Sequence, residues 1–393
     1  MEDWKEYRLG EMIQCNPQVK LEKGKSYNLI DIDSIEIGSR YVKGKELTVY
    51  DGQSGCHFQN GDTVMARITP CLENGKIAQV QCESQKGFGS TELFVFRGTE
   101  NKTDSDYVFN LMSMQFIRNL AANSMTGASG RQRADLGFIK RIKWNFPPLP
   151  TQQKIASILS AYDNLIQNYK KQIEALQTAA SELYKEWFVR FRFPGYKNSR
   201  FENGIPEGWK VEKLFDVAKI IYGYPFNSDE FCDDSSLNPV VRIRDILDNY
   251  TNTYTSETCD EKYWINPNEM LIGMDGIFHM SLWTGKRALQ NQRTVRVTSK
   301  VKNLSNYYLY FSLYPQIKAL EQMIVGTTVA HLGDKHLKKI TILIPEDKIL
   351  KMSFERLEPI MNRIYSLQQQ ITNLTQQRDL LLPRLMSDKL EIK

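Results

Sequence analysis

The chain has 393 residues, 41% hydrophobic and 25% charged, with 51 basic and 46 acidic residues and a net charge of +5. That length suits two or three domains, and the composition is that of a soluble globular protein. The mild basic excess permits a nucleic-acid partner without requiring one, and no run approaches the ~18 apolar residues of a membrane span.

The amino-terminal segment MEDWKEYRLG has no apolar core and no cleavage-site pattern, so a cytoplasmic location is the expectation. The six cysteines (Cys15, Cys56, Cys71, Cys82, Cys232, Cys259) form no C-x-x-C pair. The four histidines are His57, His279, His331 and His336, and the adjacent Cys56 and His57 would point apart in a strand. Free thiols in a reducing compartment, and no metal site, are the expectation.

The first half opens W-K-E-Y-R-L-G-E-M-I at Trp4, and W-K-V-E-K-L-F-D-V-A begins at Trp209. Near their ends the halves read K-R-I-K-W-N-F-P (Lys140 to Pro147) and K-K-I-T-I-L-I-P (Lys338 to Pro345). The start offset is 209 − 4 = 205 and the end offset 345 − 147 = 198, which predicts a tandem duplication with small insertions. Within the first half, Asn28 to Asp33 alternates, Thr63 to Ala66 follows a Gly61-Asp62 turn, and Leu93 to Phe96 reads as a buried strand. In the second, Val240 to Ile246 reads as a strand with Arg242 and Arg244 on one face. Met112 to Leu120 and Tyr307 to Leu313 read as helices in matching positions.

After the first half, Pro147, Pro148 and Pro150 hold the chain extended, and Thr151 is the expected N-cap, with Lys154 where a capping box would place Glu. Ile155, Tyr162, Tyr169, Leu176 and Leu183 then recur on sevens, with Ile158, Leu159, Leu165, Ile166 and Ile173 on the adjoining face. The carboxyl-terminal segment carries a second heptad: Leu357, Ile364, Ile371 and Leu385, with Ile360, Leu367, Leu374 and Leu381, broken at Arg378. Pro359 falls early in it, where a kink or a late helix start is expected. One heptad seam cannot be buried alone, so the two helices are expected to pair antiparallel as a spacer. Phe191 to Trp209, rich in Pro and Gly, reads as a linker.

No phosphate-binding loop is present: Gly38 to Lys45 has the wrong glycine spacing, and Glu46 replaces the hydroxyl. Asn145-Phe146-Pro147-Pro148 has the letters of an adenine-methyltransferase motif in the wrong order. Glu346-Asp347-Lys348, with Asp334 upstream, resembles the end of a nuclease site, but acids at a helix entrance have a simpler role with the dipole. Three polar loops suit nucleic acid: Arg67 to Lys76, Gly127 to Arg133, and Asn291-Gln292-Arg293 between strands. Arg reads guanine, and Asn or Gln reads adenine, in the major groove. Each loop alone is more often a solvated turn than a DNA contact.

Together these residues resemble the specificity subunit of Type I restriction-modification systems over essentially the whole chain. The resemblance is carried by P-P-L-P-T-Q-Q-K-I-A-S-I-L from Pro147, E-W-F-V-R-F-R-F-P-G from Glu186 and I-P-E-G-W from Ile205. Gly89-Ser90-Thr91-Glu92 and Asn291-Gln292-Arg293 are similar to patches within the family's recognition domains. The second gate, I-P-E-D-K, departs from the pattern, with one proline and no Gln-Gln.

The resemblance implies a mixed α/β (α+β) fold: two similar globular target recognition domains, separated by two long helices in an antiparallel coiled coil, with internal pseudo-symmetry. The division is 1–150 for the first recognition domain, 151–192 for the first spacer helix, 193–208 for the linker, 209–347 for the second domain and 348–393 for the second helix. It further implies a subunit that is not catalytic and has no cofactor of its own. Each domain would read half of a split site in double-stranded DNA. Two methyltransferase subunits carrying S-adenosylmethionine, and two motor-nuclease subunits using ATP and magnesium, would be the partners. The candidate DNA contacts are Arg67, Asn74, Lys76, Ser90, Thr91, Arg131, Gln132 and Arg133 in the first domain. In the second they are Arg242, Arg244, Asn291, Gln292, Arg293, His331 and Lys335. The rival readings are a coiled-coil scaffold that binds only proteins, and a nuclease or methyltransferase with degenerate motifs.

Overall fold

The computed structural model describes residues 4–127, 131–324 and 331–390, so Ala128, Ser129 and Gly130 of the second polar loop lie outside it. The chain forms two compact units, residues 1–167 with 374–393, and residues 168–373.

In the first unit, strand Lys5–Arg8 pairs antiparallel with Lys143–Phe146. A five-stranded sheet has the order Ile13–Cys15, Leu93–Gly98, Thr63–Ala66, Ile77–Val80, Tyr41–Val42. The strand Thr63–Ala66, central in that order, is buried at every position, as a strand covered on both faces should be. A second sheet orders Leu47–Val49, Ser26–Ile30, Lys86–Gly89, Cys56–Gln59. Helix Ser105–Ser113 starts at Asp104, whose side chain accepts from Tyr107 N, and it packs Tyr107, Leu111 and Met112 against Met65, Phe94 and Phe96.

The second unit repeats the plan. Lys210–Lys213 pairs antiparallel with Thr341–Ile344. One sheet orders Ala218–Tyr222, Thr294–Ser299, Met270–Gly273, Met280–Leu282, and the other orders Tyr254–Thr255, Asn238–Val241, Ala288–Gln290, Trp264–Ile265. The duplication is visible bond by bond. Leu9 N donates to Ile142 O in the first unit, and Leu214 N to Ile340 O in the second. Those pairs differ by 214 − 9 = 205 and 340 − 142 = 198, the offsets read from the sequence. Two helices differ from expectation. The segment Met112 to Leu120 is broken at Met114 into Ser105–Ser113 and Gln115–Asn123, whereas its counterpart is one helix, Asn306–Ile324.

The first long helix, Leu149–Tyr184, has 36 residues and is about 54 Å long at 1.5 Å per residue. It starts two residues before Thr151, which therefore lies in the first turn and not at the N-cap position. Pro150 also falls there, where its missing N–H leaves no bond unmade. The entrance is held by Gln152, fully buried. Its Oε1 accepts from Asp104 N at 3.1 Å, and its Nε2 donates to Lys102 O at 3.0 Å and Pro147 O at 2.9 Å. Of the two apolar rows, the buried one is Leu159, Ile166, Ile173 and Ala180, with Ile155 beside it. Tyr162, Tyr169, Leu176 and Leu183 are half-buried on its flank.

The second long helix, Asp347–Met386, starts ahead of Pro359 rather than late. Leu357, Ile364, Leu367, Ile371 and Leu385 are buried, and Ile360, Leu374 and Leu381 are half-buried. In the first unit Ile155 and Leu159 share a core with Leu385, and Asp163 meets Arg378. In the second unit Arg363 donates to Gln172, and Arg356 lies 5.0 Å over the Trp187 ring. In each unit the helix segments thus run antiparallel. The segment after the first helix makes a π-helical turn, Lys185–Val189, and its Phe193 and Trp209 enter the second unit's core.

Candidate nucleic-acid interface

In the first unit, strands Ser26–Ile30 and Lys86–Gly89 run parallel, and the loops leaving their carboxyl ends form one surface. Ser90 N donates to Ile30 O at 3.1 Å, which holds the loop after Gly89 against the 3-10 turn Ile32–Ser34. Two further loops are laced to it: Arg67 N donates to Glu92 O, Ala134 N to Arg67 O and Thr69 N to Gln132 O. Main-chain bonds therefore bring Arg67, Ser90, Thr91, Gln132 and Arg133 together from segments up to 66 residues apart (133 − 67).

Their side chains are not equivalent. Thr91 and Arg131 are exposed. Arg67 lies 4.9 Å over the Phe94 ring, and its buried Nε has no hydrogen-bond partner among the described residues. Arg133 is committed to Glu92, with Nε 2.8 Å from Oε2. That side-chain hydrogen bond holds the Glu92 carboxyl below its ordinary range. Ser90 Oγ accepts from Glu92 N and so caps its own turn. Lys76 Nζ donates to Ile32 O at 2.9 Å, tying its loop to the turn. Asn74 is exposed at the far end of the same loop, where its N–H donates to Pro70 O.

The second unit builds the same surface. Strands Asn238–Val241 and Ala288–Gln290 are parallel, and Asn291 N donates to Val241 O at 3.1 Å. Met274 N donates to Arg293 O, and Leu332 N to Met274 O. Arg242 and Arg244 do not alternate along a strand. The strand ends at Val241, and the two arginines flank Ile243 in a 3-10 turn, Ile243–Asp245. The turn forms because Asp245 Oδ2 accepts from Arg242 N at 2.9 Å, a local bond that competes with continued pairing. Arg242 is largely buried and Arg244 is 71% exposed.

Arg293 has φ +68°, a region a non-glycine residue enters at a cost. Its Nη1 lies 2.9 Å from Asp275 Oδ2, and His331 Nδ1 lies 2.7 Å from Asp275 Oδ1. Asn291 Oδ1 accepts from Gln292 N, Gln292 is exposed, and Lys335 is exposed on the short helix Asp334–Leu337. Close approach of the chain before Tyr224 needs a glycine, since a Cβ on Gly223 would lie 1.9 Å from Asn291 O.

None of the acids of these surfaces, Asp31, Asp33, Glu92 and Asp275, is among the candidate contacts read from the sequence, although Glu92 closes the patch Gly89-Ser90-Thr91-Glu92. Asp31 and Asp33 stand in D-I-D-S (Asp31 to Ser34), whose turn is equivalent in the fold to R-I-R-D (Arg242 to Asp245), at an offset of 242 − 31 = 211. Among the described residues, no group of three or more His, Cys, Asp or Glu side chains is placed to hold a metal ion. Among them also, no helix is long and apolar enough to cross a membrane.

The family described as Type I restriction modification DNA specificity domain matches residues 1–178 and again residues 206–376. The Type I restriction enzyme MjaIX specificity subunit of Methanocaldococcus jannaschii is 28% identical over 308 residues, covering 74% of this chain and 70% of that protein. The MjaVIII specificity subunit of the same organism is 24% identical over 409 residues, covering 100% of this chain and 94% of that one. Among solved structures, the S subunit of a Type I restriction-modification system from M. genitalium shares the fold, with TM-score 0.57 and 13% identity over 100% of this chain and 97% of that one.

Proposed function

Because the chain belongs to the Type I restriction modification DNA specificity family, as a two-domain DNA-recognition subunit that is not itself catalytic, we propose that it reads a split duplex site, one half-site per domain. The observation that carries this reading is the surface built twice from equivalent strand ends. Each copy exposes groups that hydrogen-bond base edges: Thr91 and Arg131 in one, Arg244 and Gln292 in the other. Arg67, Asn74, Lys76, Ser90, Gln132 and Arg133 complete the first surface, and Arg242, Asn291, Arg293, His331 and Lys335 the second. Lys76, Ser90, Arg133 and Arg242 serve chiefly to hold the loops, because their polar atoms are already engaged or covered.

The two long helices act as the ruler between half-sites. Half-sites about one helical turn apart, roughly 34–36 Å, lie on one face of the duplex. The partners are two methyltransferase subunits, which bring S-adenosylmethionine, and two motor-nuclease subunits, which bring ATP and magnesium, in the cytoplasm. The test is a salt titration of duplex binding by the chain co-purified with its methyltransferase. Contacts to phosphates require log affinity to fall linearly with log salt. A flat response would favour a scaffold that binds only proteins.

A further inference from the structure

The turns that follow strands Ser26–Ile30 and Asn238–Val241 are the same piece of architecture. Both are 3-10 turns, Ile32–Ser34 and Ile243–Asp245. In each, the N–H before the turn donates to the side chain at its third position: Asp31 N to Ser34 Oγ at 3.3 Å, and Arg242 N to Asp245 Oδ2 at 2.9 Å. Each is anchored by the matching bond to the next loop, Ser90 N to Ile30 O and Asn291 N to Val241 O. Ile30 is therefore equivalent to Val241, and Asp33 stands where the other unit has Arg244. By the bonds from Arg67 N to Glu92 O and from Met274 N to Arg293 O, Glu92 stands where the other has Arg293. One scaffold carries carboxylates in the first unit and guanidinium groups in the second.

Of these groups, Asp33 and Arg244 are the least engaged. Asp33 is 91% exposed, with Lys76 Nζ 3.6 Å away. Arg244 is 71% exposed, with its Nε 3.9 Å from Asp245. An arginine on a DNA-facing turn would suit a phosphate or a base equally. A carboxylate at the equivalent point would not, since phosphates repel it. Beyond Lys76, the donors such a carboxylate can meet on that face are the exocyclic amino groups of bases in the major groove.

We infer that Asp33 and Arg244 are the matched specificity determinants of the two half-sites. Arg244 reads guanine through O6 and N7, and Asp33 accepts from a base amino group, cytosine N4. The inference rests on the DNA-reading function proposed above.

The test is selection from a randomised duplex library at fixed salt, using the full chain co-purified with its methyltransferase, as wild type, Arg244→Ala and Asp33→Asn. Both side chains are exposed, so all three proteins should melt alike. Arg244→Ala should lose about tenfold to a hundredfold of preference for guanine at one position of one half-site, leaving the other half-site unchanged. Asp33→Asn should lose a comparable preference for cytosine in the other half-site. If Arg244→Ala weakens all sequences uniformly, its partner is a phosphate and the inference falls while the two-part reading stands. Unchanged base preferences in both variants overturn the inference in the same way. If the wild type selects no two-part site, the reading beneath it falls as well.

Discussion

The carboxylate of Asp163, 3% exposed, accepts from Arg378 Nη1 at 2.8 Å and from Arg40 Nη1 at 3.2 Å. Arg378 is the residue that breaks the second heptad, and Asp163 is its partner on the first long helix. Arg40 comes from the first globular domain and is itself 1% exposed, bonded also to Ser160 at 2.7 Å and Asp106 at 2.9 Å. A polar group at a seam position sets register, because any shifted pairing would strand a buried charge.

Removing the shared carboxylate should therefore cost more than removing either arginine. Asp163→Ala leaves two guanidinium groups facing each other and should lower unfolding free energy by about 3–5 kcal/mol. Arg378→Leu restores the heptad and leaves Asp163 paired with Arg40, so its loss should be distinctly smaller. Urea unfolding of the two variants checks this, and equal losses would count against a register role.

Gln152 closes the entrance to the first helix. Gln152→Leu would leave Asp104 N and the carbonyls of Lys102 and Pro147 without their partner. The expected loss is about 2–3 kcal/mol. A change within 0.5 kcal/mol, the range of an ordinary surface substitution, would mean that these groups find other partners.

Arg293→Gly separates function from stability. Glycine adopts φ +68° without the Cβ penalty, so stability should hold or rise by up to about 1 kcal/mol. The half-site read by the second domain should nonetheless weaken, since the guanidinium is gone. A variant that melts lower and binds duplex as well as wild type would show that Arg293 serves the loop alone, through its pair with Asp275.

The Arg133–Glu92 pair makes stability depend on pH in the acid range. The hydrogen bond from Arg133 places the folded Glu92 pKa below its ordinary 4.5. Its contribution is thus complete above that ordinary value and is lost as pH falls through the lower folded value. The stability difference between wild type and Glu92→Gln should be constant near neutrality and shrink on acidification. A difference that grew on acidification would contradict the assignment.

Much of the fold was legible because duplication leaves matching ends. Trp4 and Trp209, then Pro147 and Pro345, mark segments whose hydrogen bonds repeat at the same offsets. The turns were harder to read. Val240 to Ile246 has the alternation of a strand, yet Asp245 bonds back to the Arg242 N–H and ends it. Thr151 looked like a cap because its hydroxyl suits one, but Gln152 acts at longer range, through Lys102 and Asp104. The equivalence of Asp33 and Arg244 stayed hidden because the offset there, 244 − 33 = 211, matches neither end. The shared 3-10 form and the bonds from Ser90 and Asn291 align the two turns.

The central claim is that two domains on one ruler read two half-sites. The most direct measurement is library selection by the wild-type complex beside one in which both long helices are lengthened by a heptad, about 10.5 Å each. The account predicts that both select the same two half-sites, with a constant gap in each case and a longer gap for the lengthened protein. Altered half-sites with an unchanged gap, or a single undivided site, would contradict it.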